Sequence, residues 1–203
     1  MILIILIFKL IYANAELLDN NLEILKFDYY IEQKDFMKAE KELKSIKFDM
    51  VENIKRAVLF NKAGFVYFNL GEYDKALQFY FKSIEINPNN YFVYNNIGVI
   101  YFKLKNYKLA KDFYLKAYEI EKNYPKLLVN LAVVNFYLKN FKESYDYFLK
   151  AISCNRDYVR ERFDKKKAIE ILEKMVNDNP DDKELREILK WAKNRDRLND
   201  IEF

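Results

Sequence analysis

Histidine is absent from this chain of 203 residues, and cysteine occurs once, at Cys154. Without histidine there is no Ser-His-Asp triad, no Cys-His pair and no HExxH zinc site. A single thiol closes no internal disulfide and leaves the redox compartment open. Cys154 is expected to act as a small buried hydrophobe at a helix end. Glycine occurs three times, at 64, 71 and 98, and these positions are too far apart to form a phosphate-cradling loop. Proline also occurs three times, which is little punctuation for a sheet protein with many tight turns. Long helices joined by short turns fit that scarcity better. A converging pair of carboxylates is the remaining route to catalysis, but each acidic residue has lysine neighbours at helical spacing, the pattern of a charged surface. The reading is no enzyme, no metal and no cofactor.

No charge of one sign accumulates either. The net charge is +4, and residues 156–203 hold 13 basic and 13 acidic side chains. A nucleic-acid binder would carry a basic stripe or patch. The densest run, Lys165-Lys166-Lys167, reads as the solvated face of a helix. What is abundant is apolar and aromatic: 51% of residues are hydrophobic, with 17 tyrosines and 17 phenylalanines. That is globular rather than disordered. A chain of this length buries roughly 70% of its unfolded surface without staples. Alanine is scarce while isoleucine, lysine and asparagine are frequent, the usage an A+T-rich coding sequence supplies.

Residues 2–8, Ile-Leu-Ile-Ile-Leu-Ile-Phe, form an apolar run too short for the ~20 residues of a membrane span. Its length suits the apolar core of a signal peptide, and Ala13-Asn14-Ala15 is a small-x-small cleavage pattern that would leave Glu16 as the mature amino terminus. No Lys or Arg precedes the run, and Lys9 interrupts it. The expectation is an exported, periplasmic protein, with a cytoplasmic one as the alternative. Residues 1–15 are then the signal peptide; otherwise they form a first helix packed on the rest or an uncleaved anchor, the one route to a membrane.

Three segments align without gaps at a spacing of 34 residues: 60–88, 94–122 and 128–156. Small residues recur at Gly64, Gly98 and Ala132, and again at Ala76, Ala110 and Ser144. Aromatics recur at Tyr73, Tyr107 and Phe141, and at Tyr80, Tyr114 and Phe148. A third small column is Ser83, Ala117 and Ala151. Spacings of three and four put these columns on one face of each of two helices. Small residues let paired helices approach, and aromatics fill the wedge beside them. A mid-helix glycine costs about 1 kcal/mol against alanine, so Gly64 and Gly98 imply a packing role. Leu70-Gly71-Glu72 is the turn within a pair. Asn87-Pro88-Asn89-Asn90 breaks between pairs and supplies caps, and Pro125 suits a helix start.

This pattern resembles the tetratricopeptide repeat, a 34-residue helix-turn-helix. The third copy departs most, with Asn135 in place of Tyr67 and Tyr101, and Lys122 and Arg156 stand where Pro88 does. A weaker copy precedes them: Phe36, Ala39 and Leu43 match Tyr73, Ala76 and Tyr80 at an offset of 37, while Lys26 and Phe27 replace the small residues. The resemblance implies an all-α, right-handed superhelical solenoid. Its expected parts are a divergent repeat over 16–56, three repeats over 57–90, 91–124 and 125–158, and a truncated repeat with a capping helix over 159–203. Lys165–Pro180 reads as a second repeat helix with Ala168, Leu172 and Met175 in register. The final helix begins near Asp182, with a stripe of Leu185, Ile188, Leu189 and Ala192.

In such solenoids the first helix of each repeat lines the concave face. The inward columns are Asn61, Phe65, Phe68 and Asn69 in the first repeat. The second contributes Phe92, Asn95, Val99, Phe102 and Lys103, and the third Lys126, Val129, Val133, Phe136 and Tyr137. Some family members clamp a peptide's terminal carboxylate with Lys, Asn and Arg on this face. Here Asn96 and Lys126 match, but Asn61, Phe65 and Asn130 stand where the others are needed, so such a clamp is not expected. The implied function is a protein-binding adaptor that takes an apolar peptide or amphipathic helix, with asparagines holding its backbone. Two alternatives stand: the groove is filled internally, or aromatic faces mediate homo-oligomers.

Overall fold

Among the described residues, helix pairs closed by one kind of turn build the chain from Ile2 to Cys154. The computed structural model describes residues 2–162 and 180–194, with positions 169, 173, 176 and 177 between them. Every regular element among the described residues is helical. The helices are α1 (Ile2–Glu32), α2 (Phe36–Leu43), α3 (Asn53–Asn69), α4 (Tyr73–Ile86), α5 (Tyr91–Lys103), α6 (Tyr107–Ile120), α7 (Pro125–Tyr137), α8 (Phe141–Cys154), α9 (Arg156–Arg162) and α10 (Lys183–Asn194). A 3₁₀ turn, Phe48–Met50, lies between α2 and α3. The chain divides into two compact units, Met1–Glu121 and Lys122–Phe203.

The predicted turn at Leu70-Gly71-Glu72 recurs three more times. Gly71, Lys34, Lys105 and Lys139 all take positive φ, between 57° and 81°. Each sits two residues past the last residue of its helix, and the backbone N–H groups double back in the same way. Gly71 donates to Phe68 O (3.1 Å) and Glu72 to Tyr67 O (2.9 Å); Lys105 donates to Phe102 O and Asn106 to Tyr101 O, both at 2.9 Å. Lys139 and Asn140 repeat this on Phe136 and Asn135, and Lys34 and Asp35 on Ile31 and Tyr30. These bonds satisfy carbonyls that a helix end leaves open. Helices α1 and α2 are joined by the same turn. The offset of 37 rather than 34 is taken up between α2 and α3, where the 3₁₀ turn lies.

Inside the hairpins the small columns do what their spacing implies. A Cβ at Gly64 would lie 2.6 Å from the ring of Tyr80, and one at Gly98 would lie 2.5 Å from Tyr114. Both tyrosines are fully buried, as are Ala76 and Ala110. In the first hairpin the sizes are exchanged: Phe27 stands in the Gly64 column and Leu43 in the Tyr80 column, and both are buried. The core of unit 1 runs from Phe27 through Tyr67 and Tyr80 to Ile100.

Unit 2 contains α7/α8, with Leu127, Leu128, Leu131 and Val134 buried. Pro125 opens α7 as expected. Cys154 departs from the expectation of a buried hydrophobe: it is half-buried, and its thiol donates to the Asn123 carbonyl at 2.8 Å. The thiol reaches that carbonyl because α8 ends at Cys154. The helix expected near Asp182 is α10, which starts one residue later, at Lys183. Leu189 is half-buried, whereas the side chains of Leu185, Ile188 and Ala192 lie outside the described residues. Most of the helix expected over Lys165–Pro180, including Ala168, Leu172 and Met175, also lies outside them. So do Lys165, Lys166 and Lys167.

Candidate peptide-binding face

Helices α3 and α5 open consecutive hairpins, and their side chains meet along one face of unit 1. Asn96 Nδ2 donates to Asn61 Oδ1 at 3.5 Å. Lys103 Nζ lies 5.6 Å from the centre of the Phe68 ring. These two cross-helix contacts mark the face at the middle and at the carboxy-terminal end of α5. Phe65 and Phe92 project from it and keep 41% and 45% of their surface exposed. Val99 and Phe102 are half-buried, and Asn69 and Lys103 are exposed.

Each aromatic on this face is braced by a second ring. Phe36, at the start of α2, meets Phe65 edge-on at 5.7 Å. Phe68 rests on Tyr73 (5.8 Å), Tyr91 on Phe92 (4.0 Å) and Phe102 on Tyr107 (5.3 Å). Rings held in this way present apolar surface with little entropy left to lose on binding. Asn69 is turned back on its own helix, where its Nδ2 donates to Phe65 O at 2.8 Å.

One predicted residue is misplaced. Asn95 is 1% exposed, inside the core rather than on the face. The amide available there belongs to its neighbour, Asn96, which is half-buried beside Asn61. Asn61 and Asn95 share a column, but consecutive helical residues point about 100° apart, and packing turns position 96 rather than 95 toward the face. Burial pushes the Tyr80 hydroxyl above its ordinary range, and a hydrogen bond with Asn96 acts against that in smaller measure. Asn96 therefore joins the face to the core beneath it.

In unit 2 the predicted residues are on α7. Lys126, Val133 and Tyr137 are exposed, and Val129 and Phe136 are half-buried. Phe136 meets Phe141 at 5.8 Å and Tyr137 at 6.2 Å, both edge-on. Among the described residues no group of three or more His, Cys, Asp or Glu is placed to hold a metal ion. Among them, too, no helix is long and apolar enough to cross a membrane.

Antiparallel helix pairs repeated every 34 residues, with small residues under aromatics and rings and amides on the first helices, define a helical-hairpin repeat protein. Sequence profiles described as "Tetratricopeptide repeat" match residues 57–90, 91–124 and 125–158. The chain belongs to the tetratricopeptide-repeat family, whose domains are protein-interaction modules. A "TPR repeat-containing protein" of Borreliella burgdorferi strain B31 is 46% identical over 59 residues, a match covering 29% of this chain and 24% of that protein. The chain thus spans about a quarter of that relative's length. Among solved structures, the MamA RS-1 ArsTM double mutant superposes with a TM-score of 0.65 at 17% identity, over 90% of this chain and 97% of that one. YrrB, described as "a TPR protein with an unusual peptide-binding site", gives a TM-score of 0.55 at 19% identity, over 66% of this chain and 67% of its own. At these identities the likeness is one of fold.

Proposed function

We propose that the chain is a non-catalytic adaptor that takes an apolar peptide or amphipathic helix of a partner protein on the α3/α5 face. The observation that carries the reading is the pair of exposed, braced rings, Phe65 and Phe92, beside the Asn61–Asn96 amides. Rings of this kind bury side chains of an incoming segment. Beyond their mutual contact and the Asn96–Tyr80 hydrogen bond, the two amides keep further donors and acceptors for its backbone. The peptide-binding site named for YrrB, a protein of the same fold, supports the reading by analogy.

The test is affinity capture from the native cell with wild type and a Phe65→Asp, Phe92→Asp variant whose helicity is first shown unchanged. Both side chains are exposed, so the fold should tolerate the changes. Loss of a captured protein from the variant supports the face as the site. Retention of the same protein moves binding elsewhere.

We further propose export, with removal of residues 1–15. Ala13, Asn14 and Ala15 are exposed, so a peptidase could reach the small-x-small pattern they form. The mass of the mature amino terminus decides this: an intact Met1 ends the proposal.

A further inference from the structure

Helix α1 is apolar on two opposite faces. One face packs inward: Phe27 is fully buried, Ile24 and Ile31 pack on the core, and Asn20 exchanges two hydrogen bonds with the Lys47 backbone at 2.7 and 3.2 Å. The other face carries Leu18, Leu22, Leu25 and Tyr29, which are 68%, 50%, 65% and 56% exposed. Their spacings of four, three and four are those of a coiled-coil seam. Such a row at the surface asks for a covering partner, whereas singly scattered apolar residues do not.

The charges beside the seam indicate which partner. Asp19 and Lys26 each follow a seam leucine by one residue, so they lie on the same flank. When two copies of α1 run antiparallel about a two-fold axis, Leu22 meets Leu25 of the second copy and Leu18 meets its Tyr29. The same register sets Asp19 against Lys26 of the second copy, twice by symmetry. Parallel pairing would set Asp19 against Asn14 and Lys26 against Asn21, with no charge complement. Lys26 rests on Glu23 at 3.0 Å within its own helix, an exposed contact weak enough to be exchanged. On the opposite flank Asp28 is held by Lys62 at 2.7 Å, away from any new pairing. A lipid surface is a poorer match, because helices that lie on membranes border their apolar face with Lys and Arg, and this one is bordered by Asp19, Lys26 and Asp28.

We propose that the outer face of α1 is an antiparallel homodimer interface between two copies of the chain. Twelve residues of helix span about 18 Å, so the contact is smaller than a standard interface and the dimer is weak and concentration-dependent. It is separate from the α3/α5 face, and either proposal can fail alone.

The test is sedimentation equilibrium of the full chain over about a hundredfold range of concentration, with helicity checked for every variant. Wild type is expected to dimerise and Leu22→Glu to remain monomeric. Asp19→Lys and Lys26→Asp, taken singly, should each weaken dimerisation roughly three- to tenfold by opposing like charges. The double variant, and an equimolar mixture of the two single variants, should recover it. A wild type monomeric throughout overturns the proposal. So does dimerisation unchanged by Leu22→Glu, or a double variant as weak as the single ones. Binding of a monomeric wild type to phosphatidylglycerol vesicles, lost in Leu22→Glu, would assign the face to a membrane instead.

Discussion

The hairpins α3/α4 and α5/α6 on one hand, and α7/α8 on the other, answer one packing problem in two ways. In the first two, glycine in the first helix admits a fully buried tyrosine from the second. In the third, Ala132 takes the glycine's place and Phe148 is only half-buried. Tyr67 stacks on Phe79 and Tyr101 on Phe113, each at 5.4 Å and nearly parallel. Asn135 replaces that tyrosine in the third hairpin. It is fully buried, donates to Leu131 O at 2.9 Å and accepts from Asn140 at 3.3 Å. Ser144 adds a bond to the Ala132 carbonyl at 2.7 Å. One methyl group at the tightest column thus goes with a shift from ring stacking to hydrogen bonding, while the outer rim is kept. Lys82, Lys116 and Lys150 lie 5.1–5.3 Å over Phe79, Phe113 and Tyr147 in all three.

The sharpest way to break the contrast is to put the methyl into the second hairpin. Gly98→Ala should destabilise the chain by about 2–3 kcal/mol in urea titration, because overpacking against the Tyr114 ring exceeds the gain in helix propensity. Adding Tyr114→Leu should recover part of the loss, as the Phe27 and Leu43 columns imply. Ala132→Gly, the reverse change, should cost only about 1 kcal/mol. Next in size, Asn135→Ala should cost about 1–2 kcal/mol, since it removes a buried amide together with its hydrogen bonds to Leu131 O and from Asn140. The same change has no counterpart in the stacked hairpins.

A smaller effect is read by pH. Burial holds the hydroxyls of Tyr80 and Tyr114 above the usual tyrosine range. The unfolded chain loses these protons near pH 10 while the folded chain keeps them. The stability linked to the two tyrosines is therefore fully present below pH 10 and is lost as pH rises past it. Tyr114→Phe should shallow that alkaline fall, seen as midpoint against pH, whereas Phe148→Leu should not. Smallest of all, Lys105→Gly and Lys139→Gly should raise stability by about 0.5–1 kcal/mol, since a lysine at positive φ carries a strain that glycine lacks. Gly71→Ala should lower it by a similar amount.

Most of the hairpin architecture was legible because its signals are local and repeated. Gly64, Gly98, the tyrosine columns and Pro125 each mean the same thing wherever the period places them. The first hairpin was harder to read because Phe27 and Leu43 exchange sizes, which defeats a search for matching residue types while preserving the volume that packing needs. Asn95 was misread for another reason: periodicity gives the face of a helix but not how far the next helix covers it, and Asn95 and Asn96 lie on either side of that edge. The outer face of α1 left little trace, because a helix apolar on opposite sides shows neither clean amphipathicity nor a continuous apolar run.

The recurrent left-handed turn has a consequence for how such a chain can lengthen. Gly71 and Lys105 occupy equivalent turns, and residues 57–90 and 91–124 present the same small and aromatic columns to whatever follows them. A second copy of 57–90 spliced in after Asn90 would keep the native junction with Tyr91 on its far side, and on its near side would bring Lys62 and Ala63 to the places of Asn96 and Ile97. In a nearest-neighbour array, growth of that kind adds one more favourable interface for each module gained. Gene duplication could thus extend the molecule in steps of 34 residues, each step keeping one native junction and testing one new one.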